Sequence, residues 1–105
     1  MSITNAISID VEDYFQVSAF EHCIDRKNWD QLEHRVSANM QIILKLLASA
    51  NVKATFFVLG WVAERYPEIV TNILKDGHEL ASHGYGHQRV SDLTAVEFKQ
   101  DLLRA

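Results

Sequence analysis

Cysteine is nearly absent: Cys23 stands alone among 105 residues, so no intrachain disulfide can form and a thiolate zinc cluster is excluded. It reads as a small, semi-buried residue without a role. Clustered positive charge is absent too. The 10 Lys and Arg residues are scattered against 14 Asp and Glu, for a formal charge of −4, which excludes a nucleic-acid surface or an anionic membrane as partner and suits a small or neutral substrate. Long apolar runs are missing. Nothing reaches transmembrane length, and Met1-Ser2-Ile3-Thr4-Asn5 lacks the charged start and apolar core of a secretory signal, so the chain as written reads as cytoplasmic with no membrane segment.

What is present is a 48% apolar composition. That suffices for one small domain with a real core, but the chain is short for a domain that also carries a cofactor and a substrate cleft. Residues 1–105 therefore read as a single partial domain. The most informative stretch is Ser82-His83-Gly84-Tyr85-Gly86-His87, two imidazoles four residues apart among glycines. Side chains at that spacing meet if the backbone makes one helical turn, and neutral imidazole is a common ligand for zinc and its neighbours. An acidic partner stands at the other end of the chain, in Asp10-Val11-Glu12-Asp13. Three carboxylates in four positions, with no base nearby, repel one another unless a cation or proton is shared. The alternative for this cluster is a solvated turn or a helix cap.

Hydrophobic periodicity places both motifs. Residues 5–10, with alternating isoleucines, read as a strand. Residues 14–30 read as a long loop with at most a short helical turn, whose aromatics either wall a substrate groove or pack the loop down. Leu32, Val36, Met40, Ile43, Leu44 and Leu47 mark an amphipathic helix over 30–50, closed by Asn51. Residues 53–60 read as a strand buried on both faces, with Phe56 and Phe57 in the core. A second helix runs from Val62 through Leu74, with Pro67 as a kink or restart and Gly77 as its end, and 78–82 form a third strand. Thr94 and Glu97 have capping-box spacing and open a last helix over 96–103.

Strand, helix, strand, helix, strand, helix implies a parallel α/β sheet with its functional groups at the strand C-termini. The acidic cluster follows strand one and the histidines follow strand three, so both come out on one face although some seventy residues separate them. Two histidines and a carboxylate hold a metal with a position open for water, and a spare carboxylate can take that water's proton: the site is hydrolytic. Two imidazoles and one carboxylate suit Zn2+ first, with Co2+, Ni2+ or Fe2+ as alternatives. His78 reads as a hydrogen-bonded structural residue, and His22 and His34 as surface residues. Tyr85 and Trp61 are candidates to line a sugar site, the alternative for each being packing.

Asp10-Val-Glu-Asp13, Ala54-Thr-Phe-Phe-Val-Leu-Gly60 and Gly77-His-Glu-Leu-Ala-Ser-His83-Gly-Tyr-Gly-His87, in that order, resemble the NodB-homology polysaccharide deacetylases, carbohydrate esterase family four. The start also resembles the D-V-E-D-Y-F subgroup that accompanies bacterial exopolysaccharide loci. The resemblance implies the N-terminal portion of a distorted (β/α) barrel, about three βα units, from a domain roughly twice this length. It also implies removal of N-acetyl groups from amino sugars of a chitin-, peptidoglycan- or exopolysaccharide-like polymer or oligomer, by attack of a metal-bound water on the amide. His83 and His87 match the family's metal-binding histidines, and Asp10 its general base. The acidic ligand falls on Glu12 or Asp13, with Asp13 preferred; a shifted alignment makes Glu12 the base. The family's later histidine and arginine motifs have no counterpart in these residues, so the chain alone should have little activity. Two other functions fit the same residues: a small-amide hydrolase of the allantoinase-like branch, or a non-catalytic metal-binding scaffold.

Overall fold

A computed structural model describes residues 2–105. Three strands, β1 (Ser8–Val11), β2 (Thr55–Val58) and β3 (Glu79–Ser82), form one parallel sheet in the order β1-β2-β3. Among the described residues four α-helices accompany them: α1 (Val36–Ala50), α2 (Gly60–Arg65), α3 (Pro67–Lys75) and α4 (Ala95–Arg104). This is the expected α/β order, and among the described residues no helix is long and apolar enough to cross a membrane.

One sheet face carries the core. Ile9 pairs with Phe56 and Val11 with Val58, and Val11, Phe56 and Val58 bury against Met40, Leu44 and Leu47 of α1, Val62 of α2 and Ile69 and Ile73 of α3. The other face is where the expectation for β2 fails. Phe57 aligns with Asp10 and Ala81 and is only half-buried, so β2 is covered on one side, not two. Side chains alternate across a strand, so the face that sends Phe56 into the core must send Phe57 to the side where the acidic residues emerge.

The helix over 30–50 starts later than its periodicity suggests, at Val36. Residues Arg26–Gln31 instead form a 3-10 turn, one of three between Tyr14 and Gln31. The cause is a cap from far away in sequence: the Asp13 carboxylate accepts the N–H groups of Arg35 and Val36 at 2.7 and 2.9 Å, which fixes where α1 begins. Helix α1 then ends on Asn51, which takes the left-handed conformation at φ 53, while Val52 N–H donates to Leu47 O. Pro67 proves a restart: Tyr66 at φ −129, ψ 64 separates α2 from α3, and the proline sits in the first turn where its missing N–H costs nothing.

Within 14–31 the aromatics split. Phe15 and Trp29 are buried and stack with Trp61, which ties the segment to α2, whereas Tyr14 and Phe20 stay exposed. Two smaller expectations are corrected here. His34 is half-buried, not a surface residue: Nε2 donates to the Trp29 carbonyl at 2.7 Å, Nδ1 accepts from the Tyr66 hydroxyl, and the ring packs on Phe15 and Trp61. Cys23 is exposed, in contrast to the semi-buried position expected for it. His78 is structural as expected, buried with Nδ1 accepting from Ala54 N–H at 3.1 Å.

Candidate metal centre

β1 alternates Ile9, Asp10, Val11, and the pattern runs past its end. Val11 and Asp13 turn inward while Asp10 and Glu12 stay on the uncovered side of the sheet. β3 ends next to them in space, and the ladder runs on one residue further because His83 N–H donates to Val58 O at 3.1 Å. The chain then bends over Gly84 at φ 76 and reaches His87 at φ 59, a left-handed conformation that few non-glycine residues adopt. The two histidines thus meet through bends and not through the helical turn their spacing suggests.

Close approach fixes the bend. α2 begins against it: Gly60 N–H donates to Gly84 O at 2.8 Å and Trp61 N–H to Tyr85 O at 3.1 Å, so first-turn helix donors are satisfied by the loop's carbonyls. A side chain at position 60 has no room there, since a Cβ would lie 2.7 Å from Tyr85 Cδ2. Arg26 and Asp101, which no motif marks, also reach the loop backbone. No local pattern could announce them, because their partner Gly86 lies 60 and 15 residues away.

The result is a convergence of Glu12, His83 and His87, whose potential ligand atoms all lie within 4.8 Å of one another. Glu12 Oε2 is 2.9 Å from His87 Nε2 and 3.7 Å from His83 Nε2, and the imidazole rings are 5.1 Å apart at 71°. Asp10 Oδ2 is 3.7 Å from His83 Nε2, with its side chain 55% exposed against 17% for Glu12. Buried polar atoms normally find partners, yet Glu12 Oε2, His83 Nε2 and His87 Nδ1 have none in hydrogen-bond geometry. Two imidazoles and a carboxylate, half-buried and converging, with unsatisfied atoms on all three side chains, fit a divalent cation.

The preference for Asp13 as the acidic ligand does not follow the geometry. Asp13 is 3% exposed and accepts the N–H groups of Tyr14, Arg35 and Val36, the cap role that was the alternative for this cluster. Its carboxylate is committed to backbone donors, and Glu12 stands where a ligand is needed. The two aromatic candidates also pack away from the site. Trp61 is buried among Phe15 and Trp29 beneath the Arg65 guanidinium at 3.9 Å. Tyr85 donates its hydroxyl to Glu64 and lies under the Arg104 guanidinium at 3.9 Å, which fastens the loop to α2 and α4.

Comparison with known proteins agrees with this architecture. Residues 25–105 match the family model described as polysaccharide deacetylase; the chain belongs to that family. A peptidoglycan-N-acetylglucosamine deacetylase of Bacillus cereus is 39% identical over 62 residues, 59% of this chain and 22% of the relative. A chitooligosaccharide deacetylase of Bradyrhizobium is 33% identical over 63 residues, 60% of this chain and 29% of the relative. Among solved structures, a Mycobacterium smegmatis protein provisionally described as a polysaccharide deacetylase superposes with a TM-score of 0.72 at 29% identity, over 94% of this chain and 35% of that one. The fold is the NodB-type α/β architecture, and this chain spans less than a third of the length of those two curated relatives.

Proposed function

We propose that this protein removes N-acetyl groups from amino sugars of a polysaccharide, and that these residues are the N-terminal portion of its catalytic domain. The observation that carries the reading is the convergence of ligand atoms from Glu12, His83 and His87 within 4.8 Å at the C-terminal ends of parallel strands, with Glu12 Oε2 and His83 Nε2 unsatisfied and the Asp10 carboxylate beside them. A divalent cation, Zn2+ first among Zn2+, Co2+, Ni2+ and Fe2+, would supply Lewis acidity there, lowering the pKa of a water and stabilising an oxyanion. Glu12, His83 and His87 would hold it. Asp10, exposed and not spent on backbone donors, would accept the proton of the attacking water, while the departing amine would take its proton from a group outside these residues. The fixed loop and the buried Asp13 cap keep the strand ends in register, so nucleophile and base are positioned before substrate arrives.

Support for the sugar substrate comes from the relatives, whose names specify peptidoglycan N-acetylglucosamine and chitooligosaccharides. The uncovered sheet face, with half-buried Phe57 and Ala81 in register beside Asp10, supports a domain that continues beyond these residues to close the barrel. The D-V-E-D-Y-F start resembles that of the exopolysaccharide-associated subgroup, and its residues have distinct places in the fold. Asp10 and Glu12 serve the site, Val11 and Phe15 fill the core, and Asp13 caps α1. A scaffold function is disfavoured by Asp10, since a metal held for structure needs no free carboxylate beside it.

The test is acetate release by the full-length protein from an N-acetylglucosamine oligomer and from a small amide of the allantoin type, before and after metal removal and add-back. Release from the oligomer alone, lost on chelation and restored by metal, is expected. Release from the small amide alone assigns the protein to the other hydrolase branch, and release insensitive to chelation refutes the metal reading.

A further inference from the structure

The loop that carries His87 is clamped by two charged side chains of opposite sign from distant parts of the chain. Asp101, on α4, accepts the Tyr85 N–H with Oδ2 at 3.0 Å and the Gly86 N–H with Oδ1 at 3.2 Å. Arg26, at the start of the last 3-10 turn before α1, donates through Nη1 to the Gly86 carbonyl and through Nη2 to the His87 carbonyl at 3.4 Å. One carboxylate thus takes two consecutive N–H groups and one guanidinium two consecutive carbonyls, and Gly86 is gripped from both sides. A Cβ there would meet Arg26 Nη1 at 3.3 Å and Asp101 Oδ1 at 3.9 Å.

Two further observations say what the clamp is for. α4 buries none of its residues, so apolar burial does not anchor it; its contacts to the rest of the fold include the Asp101 carboxylate on the loop and Arg104 on Glu64 and Tyr85. His87 holds a left-handed backbone at φ 59, which persists only where its surroundings over-determine it. Arg26 is bound to the carbonyl of that same residue and lies over the Trp29 ring at 4.8 Å. Partial burial lowers the guanidinium's pKa, and the Glu21 and Asp101 carboxylates offset the effect.

We propose that Arg26 and Asp101 are positioning residues for the metal centre: by fixing the peptide units of residues 85–87 they hold the His87 imidazole at the separation from His83 and Glu12 that a cation requires. The proposal rests on the reading that Glu12, His83 and His87 hold a cation. It assigns a role to two residues whose hydrogen bonds go to the loop backbone and not to the ligand side chains. Partners that orient ligands in this way are typically worth about 10- to 100-fold in metal affinity.

The experiment uses the full-length protein with Asp101→Ala, Asp101→Asn and Arg26→Gln, and His83→Ala as control. Two quantities are read: hydrogen exchange of the Tyr85 and Gly86 amides without metal, and the affinity and visible absorption of added Co2+. In Asp101→Ala the two amides should lose protection, Co2+ affinity should fall roughly 10- to 100-fold, and the saturated spectrum should change while binding stays at about one ion per chain. Asp101→Asn keeps one acceptor oxygen and should fall between it and the wild type. Arg26→Gln acts from the opposite side of the loop, so the proposal stays testable if Asp101→Ala does not fold. Wild-type affinity and spectrum in folded Asp101→Ala and Arg26→Gln would overturn it. Wild-type protein that takes up no Co2+ would instead overturn the cation reading itself, and this inference with it.

Discussion

Replacing Asp13 separates a cap from a ligand. Asp13 is 3% exposed and its two oxygens accept three backbone N–H groups, those of Tyr14 at 2.9 Å, Arg35 at 2.7 Å and Val36 at 2.9 Å. Hydrogen bonds to an ionised group are each worth about 1.5–3 kcal/mol, and a lost N-cap costs about 1 kcal/mol. The three bonds share one carboxylate and are not additive, so Asp13→Ala should destabilise the fold by about 3 kcal/mol. In a domain of 150–250 residues that lowers Tm by roughly 6–12 °C. Asp13→Asn keeps an acceptor oxygen and should lose about half as much. Metal stoichiometry should stay at the wild-type value in both variants where they are folded. Thermal unfolding of the metal-free protein, run beside a metal titration, reads both quantities. A metal-free Tm equal to wild type with loss of bound metal would refute the cap assignment and return Asp13 to the ligand set.

Other perturbations follow from the same packing. His34→Ala leaves the Trp29 carbonyl and the Tyr66 hydroxyl without their partner and opens space against Phe15 and Trp61; it should cost about 2–3 kcal/mol in chemical denaturation, and a change within 0.5 kcal/mol would contradict the bonded, half-buried histidine. Gly60→Ala places a methyl group 2.7 Å from Tyr85 Cδ2. The histidine loop must move, so metal affinity should fall as well as stability, and unchanged metal binding would show the loop to be more yielding than the structure implies. The Tyr85 hydroxyl holds the exposed Glu64 carboxyl below its ordinary pKa, with Arg104 adding to the effect. Because the folded-state pKa is lowered, this contact contributes stability above the ordinary carboxyl pKa and loses it as pH falls through the folded value. The stability gap between wild type and Glu64→Gln should therefore narrow as pH drops below about 4, and a gap that widens there would reverse the sign.

Much of this architecture is legible in the sequence because the signals are periodic or local. An apolar, β-rich run and the three- and four-residue spacing of Val36, Met40, Leu44 and Leu47 place β2 and α1, and the Thr94/Glu97 capping box marks α4. The site face is legible too, since parallel strands put the ends of β1 and β3 side by side. What periodicity cannot show is where a side chain spends its hydrogen bonds. Glu12 and Asp13 are adjacent carboxylates of the same chemistry, and the alternation that turns one toward His87 turns the other under α1, 22 and 23 residues downstream. His34 looks like a helix-surface residue only if α1 is extended back over it. Once the Asp13 cap delays the helix to Val36, His34 falls on the turn that packs against Tyr66. Trp61 and Tyr85 leave two readings open for the same reason: both follow strand ends, and only the structure shows α2 and α4 drawing them into packing.

The central claim is that Glu12, His83 and His87 hold a cation while Asp10 stays free for proton transfer. A metal titration of the full-length protein with Asp10→Asn, Glu12→Gln and His83→Ala, paired with acetate release from an N-acetylglucosamine oligomer, tests it directly. The account predicts about one metal per chain in wild type and Asp10→Asn, loss of binding in Glu12→Gln and His83→Ala, and acetate release by the wild type alone. Metal lost from Asp10→Asn and kept by Glu12→Gln would contradict it.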